Sequence, residues 1–454
     1  MPPFRDEVVL VIASGSQTTR VQYGLAESLL PAQLHYKTRV YKSGVEGGRQ
    51  QYALSGNEED AIYPMVKGKI IDLDALTYLY ETIYKLNTSY AEGLGPVSPI
   101  LLTCNAEWRP NEIEYIIAHL FREIHVPAIA FVPEALGASF AFAAPNACVV
   151  NIGAEKTEII PVIDFAIQGI AETIVDIGGN WINDDLAKLL PSLDKNQIEE
   201  LKTSEIYEVL HEHTQDFFGE PSDLPTTSLE EEGIVDVAAI ISSDNAREAL
   251  AQREQKKNSK QVELKNSELA RNSFTDSKGR RVEVGTERFK GSERLIEALT
   301  HEIGRTISKL EDIPRRGDCW ENIILVGGTT AIKGFNEAML RALQERFLIA
   351  RASTFSEVPS GFNTPGYATP PLTPAIYGHS IGHGQVPTSI KISKMAEYFI
   401  GWKGHTWEDA QFLGSQIAAK QIFTPGIASI DGAYLSQEEF LEKGAKEIWN
   451  LGLF

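Results

Sequence analysis

One pattern that occurs twice constrains the fold more than any other feature of the sequence. Residues 8–27, "VVLVIASGSQTTRVQYGLAE", and residues 148–165, "CVVNIGAEKTEIIPVIDF", each run from an apolar strand through a short loop into a second strand. The loop glycines, Gly15 and Gly153, are each followed four residues later by a threonine. Two such hairpins about 140 residues apart predict an internally duplicated architecture, although glycine turns also occur in unrelated hairpins.

Strands and helices alternate along much of the chain. Residues 99–103, "PILLT", and the run "CWENIILVGGTT" at 319–330 are typical of buried strands. Residues 109–124 place apolar side chains at helical spacing, and residues 127–144 run from a strand into an apolar helix. This alternation predicts an α/β fold, and 454 residues are enough for two or more domains.

Charge, cysteine content and hydropathy disfavour several classes of protein. The chain has 42 Lys and Arg against 62 Asp and Glu, and this net charge of −20 disfavours direct DNA binding. Three cysteines at long spacings favour a reducing compartment over a disulfide framework or a zinc site. The start, "MPPFRDEVV", lacks a signal-peptide pattern, and no apolar run reaches membrane-spanning length. We therefore expect a cytosolic or nuclear protein with no membrane partner.

Several segments resemble the actin family. The run "IILVGGTTAIKGF" at 323–335 is similar to its adenosine motif, "YPMVKGKIIDLDALTYLYETIY" at 63–84 to a segment of its first domain, and "FLGSQIAAKQIF" at 412–423 to one of its closing helices. The resemblance spans most of the chain apart from roughly 200–270 and 352–389. It implies an α/β actin fold with two RNase H-like domains, divided into four subdomains around a nucleotide cleft.

The resemblance also implies subdomain boundaries. Subdomain 1 would comprise residues 1–30, 70–141 and 409–454, and subdomain 2 would comprise residues 31–69. Subdomain 3 would comprise residues 142–177 and 301–408, and subdomain 4 would comprise residues 178–300. The Pro- and Gly-rich stretch 352–389 is predicted to be a flexible insertion, and the role of the polar region 191–272 stays open.

Positions that hold nucleotide phosphates and adenosine in actins are only partly retained. The candidate nucleotide-binding residues are Gly15, Ser16, Gly153, Gly327, Gly328 and Thr329, together with Arg20, which stands where the family has a phosphate-binding lysine.

The positions that carry the chemistry have changed. Ala13, Asn151 and Ala154 stand where the family has aspartates on the metal side, and Glu134 stands where a glutamine orients the attacking water. Glu155 replaces a glycine and would bring negative charge towards the phosphates. We therefore expect no catalytic residue, no metal ion and no required cofactor, with weak ATP binding left open.

Within the family, the chain is similar to nuclear subunits of the SWI/SNF and RSC chromatin-remodelling complexes. That similarity implies a non-catalytic scaffold in the nucleus that pairs with another actin-related protein and supports transcription regulation. Further implied partners are other remodeller subunits and the basic, amphipathic helicase-SANT-associated helix of the motor subunit, which suits an acidic surface.

In the actin family, a groove between subdomains 1 and 3 accepts such helices, and the resemblance implies the same groove here. The alternative is that the residues at the groove positions pack in the core. The positions matching the groove are Phe140, Ala141, Ala143, Ile417, Lys420 and Ile422. The principal alternative function is a nucleotide-binding conformational switch with little or no hydrolysis. An active ATPase, sugar kinase or Hsp70-like chaperone is disfavoured by the missing acids.

Overall fold

The computed structural model describes residues 4–25, 29–46, 49–88, 97–210, 265–348, 387–396, 398–402, 407–423 and 432–451. The expected insertion at 352–389 lies outside these ranges except for its last residues, 387–389. Residues 211–264, which form most of the polar region 191–272, also lie outside them.

The strands of the described ranges form two large sheets and three small ones. In chain order they are β1 (Leu10–Ser14), β2 (Thr18–Tyr23), β3 (Leu34–Lys37), β4 (Val40–Glu46), β5 (Arg49–Ala53), β6 (Ala61–Ile62), β7 (Met65–Val66), β8 (Lys69–Ile70), β9 (Ile100–Cys104), β10 (Ala128–Pro133), β11 (Ala147–Ile152), β12 (Thr157–Ile163), β13 (Ala166–Ile167), β14 (Thr173–Val175), β15 (Asn272–Thr275), β16 (Arg281–Val284), β17 (Ile323–Val326) and β18 (Leu435–Ser436).

The first large sheet has the strand order β18-β10-β9-β1-β2-β3. The segment predicted at 8–27 forms the antiparallel pair β1–β2, in which Ala13 lies opposite Arg20. Strand β9 lies parallel to β1, and β10 lies parallel to β9. Every residue of β1 and β9 is buried, as expected for central strands covered on both faces.

The second large sheet repeats this arrangement in the order β13-β12-β11-β17, with β14 also paired to β12. Strands β11 and β12 form the antiparallel hairpin predicted at 148–165, and β17 lies parallel to β11 as β9 does to β1. The predicted duplication and the α/β fold are confirmed. We call the elements around the first sheet the first half, and those around the second sheet the second half.

Ten α-helices of the described ranges pack on these sheets. They are α1 (Leu73–Asn87), α2 (Pro110–His119), α3 (Glu134–Ala141), α4 (Asn180–Leu189), α5 (Lys195–Lys202), α6 (Glu293–Ser308), α7 (Ile313–Glu321), α8 (Phe335–Phe347), α9 (Ala410–Phe423) and α10 (Gln437–Lys443).

Local sequence explains where two of these helices begin. The side chain of Asp72 accepts a hydrogen bond from the Ala75 backbone N–H at 2.9 Å and so caps α1. Pro110 occupies the first turn of α2, where its missing N–H costs no hydrogen bond. The helix predicted over 109–124 then continues beyond α2 as a π-helical turn, Leu120–Ile124.

Helices α3 and α9 lie between the two sheets. Their apolar side chains share one core with residues of β1, β10, β11 and β17. Helices α1 and α2 cover the other face of the first sheet, and α6 and α8 cover the other face of the second. The backbones of α3 and α9 are in direct contact at Gly137 and Gly414. A Cβ at Gly414 would overlap the carbonyl oxygen of Gly137.

Two small hairpins complete the part of the fold that matters here. Strands β7 and β8 form a hairpin with Lys67 and Gly68 at its turn, and the buried Met65 packs it onto the first half. Strands β15 and β16 form a second small hairpin, with Gly279 at its turn. Among the described residues, none of the helices has the length and hydropathy needed to span a bilayer.

Candidate functional site

The two equivalent hairpin loops have the same backbone geometry. The Gly15 N–H donates to the carbonyl of Thr18 at 3.0 Å, and the Gly153 N–H donates to the carbonyl of Lys156 at 2.9 Å. A Cβ at Gly15 would lie 3.3 Å from the oxygen of Thr18, and one at Gly153 would lie 3.2 Å from that of Lys156. A side chain at either position would need the facing carbonyl oxygen to shift by a few tenths of an ångström, and glycine avoids this shift in both turns.

The loop after β17 joins the second of these turns. Gly327 has a φ of +95°, and a Cβ there would lie 2.5 Å from the carbonyl oxygen of Ile152. The Thr329 hydroxyl donates to the carbonyl of Gly153 at 3.0 Å, and the Gly179 N–H donates to the same oxygen at 2.9 Å. The structure thus brings Gly153, Gly327 and Thr329 together, and the space beside Gly328 is open.

The polar groups expected to meet phosphates on the first hairpin already have protein partners. The Ser16 hydroxyl accepts a hydrogen bond from the backbone N–H of Gly68 at 2.8 Å. The Arg20 guanidinium forms an ion pair with Asp409, and both side chains are 22% exposed. Asp409 lies in a 3₁₀ turn, Trp407–Asp409, that also contacts the β17 loop through a hydrogen bond from Gly327 N to Glu408 O at 2.9 Å.

A buried polar cluster lies between the two halves. It consists of Asn105, Glu134, Asn151, Lys156 and Glu158, and we call it the cleft cluster. Lys156 forms an ion pair with Glu158 and donates a hydrogen bond to Asn105 Oδ1 at 2.7 Å. Asn151 Nδ2 donates to Glu134 Oε2 at 2.9 Å.

The electrostatics of the cleft cluster favour a protonated Glu134. Burial, reinforced by the Glu158 carboxylate, raises the pKa of Glu134 to about 8, against the opposing effect of Lys156 and Arg20. At neutral pH the Glu134 carboxyl therefore carries a proton. The remaining charges form two neutral ion pairs, Arg20 with Asp409 and Lys156 with Glu158. This part of the cleft then carries no net charge.

Acidic side chains at the cleft differ in burial. Glu155 is exposed on the loop between β11 and β12, and the approach of its charge to the phosphate positions stays a prediction. Glu134 and Glu158 of the cleft cluster are buried. Lys156, Glu158 and Asn105 were missed from the sequence, although two charged residues beside the apolar run "IIPVI" of β12 are an available signal.

The neutral residues expected on the metal side, Ala13, Asn151 and Ala154, lie on the two hairpins. Ala13 is buried in β1, and the Ala154 carbonyl accepts a hydrogen bond from the Asn180 N–H at 2.7 Å. Within the ranges the structure describes, no group of three or more His, Cys, Asp or Glu side chains is arranged to hold a metal ion. Magnesium prefers carboxylate and water oxygens, and these residues supply no carboxylate.

The predicted partner groove is only partly open. Phe140, Ala143, Ile417 and Lys420 are exposed or half-buried. Ala141 is 1% exposed and Ile422 is 4% exposed, and both pack in the core between the sheets. Those two residues are therefore corrected to core positions, because α3 and α9 pack directly on each other.

Two further contacts define the open part of this groove. The Phe140 ring lies 5.3 Å from that of Phe165, centroid to centroid, and Phe165 is 39% exposed. Lys420 lies 3.5 Å from a carboxylate oxygen of Asp6.

Comparison with known proteins identifies the class to which this fold and cleft belong. The family model for actin matches residues 5–358. The chain belongs to the actin family, and its α/β fold is the actin fold.

Individual relatives narrow this further. The SWI/SNF and RSC complexes subunit arp9 of Schizosaccharomyces pombe is 27% identical over 540 aligned residues, covering 99% of each chain. The SWI/SNF and RSC complexes subunit arp42 of the same organism is 25% identical over 194 residues, 41% of this chain and 44% of that protein. Actin-related protein 7 of Oryza sativa subsp. indica is 30% identical over 151 residues, 32% of this chain and 41% of that protein.

Proposed function

We propose that this chain is a non-catalytic, actin-related subunit of an ATP-dependent chromatin-remodelling complex in the nucleus. The assignment to such a complex is supported by the end-to-end similarity to the fission-yeast protein named as a SWI/SNF and RSC subunit. The non-catalytic role is supported by the contacts within the cleft.

The observation that carries the non-catalytic role is that both cleft cations are paired internally. Arg20 pairs with Asp409, and Lys156 pairs with Glu158. A nucleotide triphosphate would have to replace these carboxylates and lie beside the carboxyl of Glu134 without a metal ion to offset its charge. Anionic phosphate is therefore disfavoured where an actin-type ATPase would hold it.

Loss of the metal-side acids argues against turnover independently of binding. Removing a single group that stabilises a transition state costs roughly 2.7–4 kcal/mol in other enzymes. Ala13, Asn151 and Ala154 together remove three carboxylates. We therefore expect no measurable ATP hydrolysis.

The proposed partners are a second actin-related protein and a basic amphipathic helix of the motor subunit. The first is supported by a further relative that is named as a subunit of the same complexes. The second is supported by the open groove residues Phe140, Phe165 and Ile417 and by the net charge of −20, which favours a Lys- and Arg-rich helix.

Purification of the tagged protein from its native source tests the assignment. We expect a second actin-related protein at about equal stoichiometry together with a motor ATPase, measured by native mass spectrometry. Isolation of a lone monomer with bound nucleotide would refute it.

A surface variant tests the groove. Phe140→Asp combined with Ile417→Asp should reduce recovery of the motor subunit at least tenfold, because two apolar contacts are lost. Leu441→Asp is the matched control, since Leu441 is 77% exposed on α10 and lies outside the groove. Equal loss of the motor in both variants would refute the assignment of the groove.

A nucleotide-binding switch is the alternative, and the preserved backbone turns at Gly15 and Gly153 favour it. In that case, Ala13→Asp with Ala154→Asp should restore metal-assisted nucleotide binding and raise affinity. Unchanged affinity in this double variant would count against the switch.

A further inference from the structure

The Lys156 side chain connects the two halves of the molecule. It extends from the second-half hairpin, and its amine donates to Asn105 Oδ1 at the end of β9 in the first half, at 2.7 Å. Glu158 supplies the countercharge from the same hairpin. Lys156 is 11% exposed and Glu158 is 2% exposed, so water screens these interactions little.

The turn between β7 and β8 lies directly against the Lys156 amine. Gly68 donates its N–H to the Ser16 hydroxyl at 2.8 Å, which ties the turn to the first hairpin loop. A Cβ at Gly68 would overlap Lys156 Nζ, and Gly68 also has a φ of +75°. The positive φ therefore favours glycine at this position, and a Cβ there would push the end of the Lys156 side chain aside.

Two more contacts cross between the halves near this point. Asn151 in β11 donates to Glu134 at the start of α3 at 2.9 Å. Lys67 Nζ lies 3.4 Å from Asp176 Oδ2 just after β14, but both side chains are exposed and this pair contributes little.

We propose that Lys156, Glu158, Asn105 and the Lys67-Gly68 turn form a latch that holds the cleft closed without any ligand. A cleft between two domains is ordinarily closed by the molecule that binds in it, since the ligand supplies contacts to both sides. Here the protein's own lysine bridges both sides, and the turn covers it. This latch is independent of which assembly the chain joins.

Hydrogen–deuterium exchange of the full-length chain tests the latch, read at the peptide that contains the Gly68 amide. The double variant Lys156→Met/Glu158→Gln removes the bridge without leaving a buried unpaired charge. We expect exchange of that peptide to accelerate about tenfold or more, as for loss of a charge-assisted hydrogen bond. Exchange as slow as in the wild type would overturn the proposal.

Lys202→Met is the matched control. Lys202 is also a buried lysine, 8% exposed, but it pairs with Glu199 inside the second half. We expect this variant to leave exchange at the Gly68 peptide unchanged. Equal acceleration in both variants would mean that general destabilisation, and not the bridge, is being measured.

A variant that keeps every charge gives an independent test. Gly68→Ala should displace Lys156 from Asn105 and accelerate the same peptide, whereas a wild-type profile would contradict the close approach. Magnesium ATP at millimolar concentration should leave wild-type exchange at this peptide unchanged. Slower exchange on addition of the nucleotide would show that a ligand closes the cleft, and would overturn the latch.

Discussion

Replacing Glu134 with glutamine should stabilise the protein, and the gain should increase with pH. Burial beside Glu158 raises the pKa of Glu134 to about 8 from an ordinary value of 4.5. Between these two pH values the folded chain retains a proton that the unfolded chain releases. The free energy of unfolding of the wild type therefore falls as pH rises through this window.

The size of the effect follows from the width of that window. Each pH unit between the unfolded and folded pKa values is worth about 1.36 kcal/mol. By pH 7.5, about three such units have accumulated, so keeping Glu134 protonated in the folded chain lowers the free energy of unfolding by up to about 4 kcal/mol. Glutamine does not titrate, and its side-chain oxygen can still accept the hydrogen bond that Asn151 donates.

Urea denaturation followed by tryptophan fluorescence, repeated from pH 5 to pH 8.5, measures this difference. Glu134→Gln should match the wild type near pH 5 and be more stable by several kcal/mol at pH 7.5. Glu155→Gln is the matched control and should follow the wild-type profile, because Glu155 is exposed. Parallel profiles for Glu134→Gln and the wild type would refute the assignment of a buried, protonated Glu134.

Three further substitutions probe the fold. Gly414→Ala should lower the free energy of unfolding by about 3 kcal/mol, because its Cβ would overlap the Gly137 carbonyl oxygen, whereas Gly317→Ala, with open space around it in α7, should raise it by about 0.5–1 kcal/mol. Equal thermal unfolding of these two variants would contradict the α3–α9 contact. The hydrogen bond with His119 lowers the pKa of Glu81 to about 2, so Glu81→Gln should cost about 1 kcal/mol at pH 7. That cost should vanish as pH falls towards 2, and a pH-independent loss in urea denaturation would refute the pairing.

The sequence was sufficient to predict the elements that are defined by local periodicity. The hairpins at 8–27 and 148–165 combine apolar runs with a short glycine-containing loop, and both formed as expected. The expectation that Ala13 and Ala154 replace acidic residues depends only on residue identity, and it stays a prediction.

The cleft cluster and the Arg20–Asp409 ion pair could not be predicted, because they join residues that are distant in sequence. Arg20 pairs with Asp409, and Lys156 bonds to Asn105 from the other half. No local pattern brings such residues together, and only the packing of the two sheets does so. The assignment of Ile422 to a surface failed for a related reason, since one helix face can serve either a partner or the core.

Isothermal titration of the full-length chain with magnesium ATP at physiological salt tests the central claim most directly. That claim is that the cleft cations, Arg20 and Lys156, are neutralised within the protein. We expect no saturable heat up to about 1 mM nucleotide, which corresponds to less than about 4 kcal/mol of binding free energy. Saturable binding with a dissociation constant of about 1 μM or tighter would show that the cleft still accepts a triphosphate, and would contradict this account.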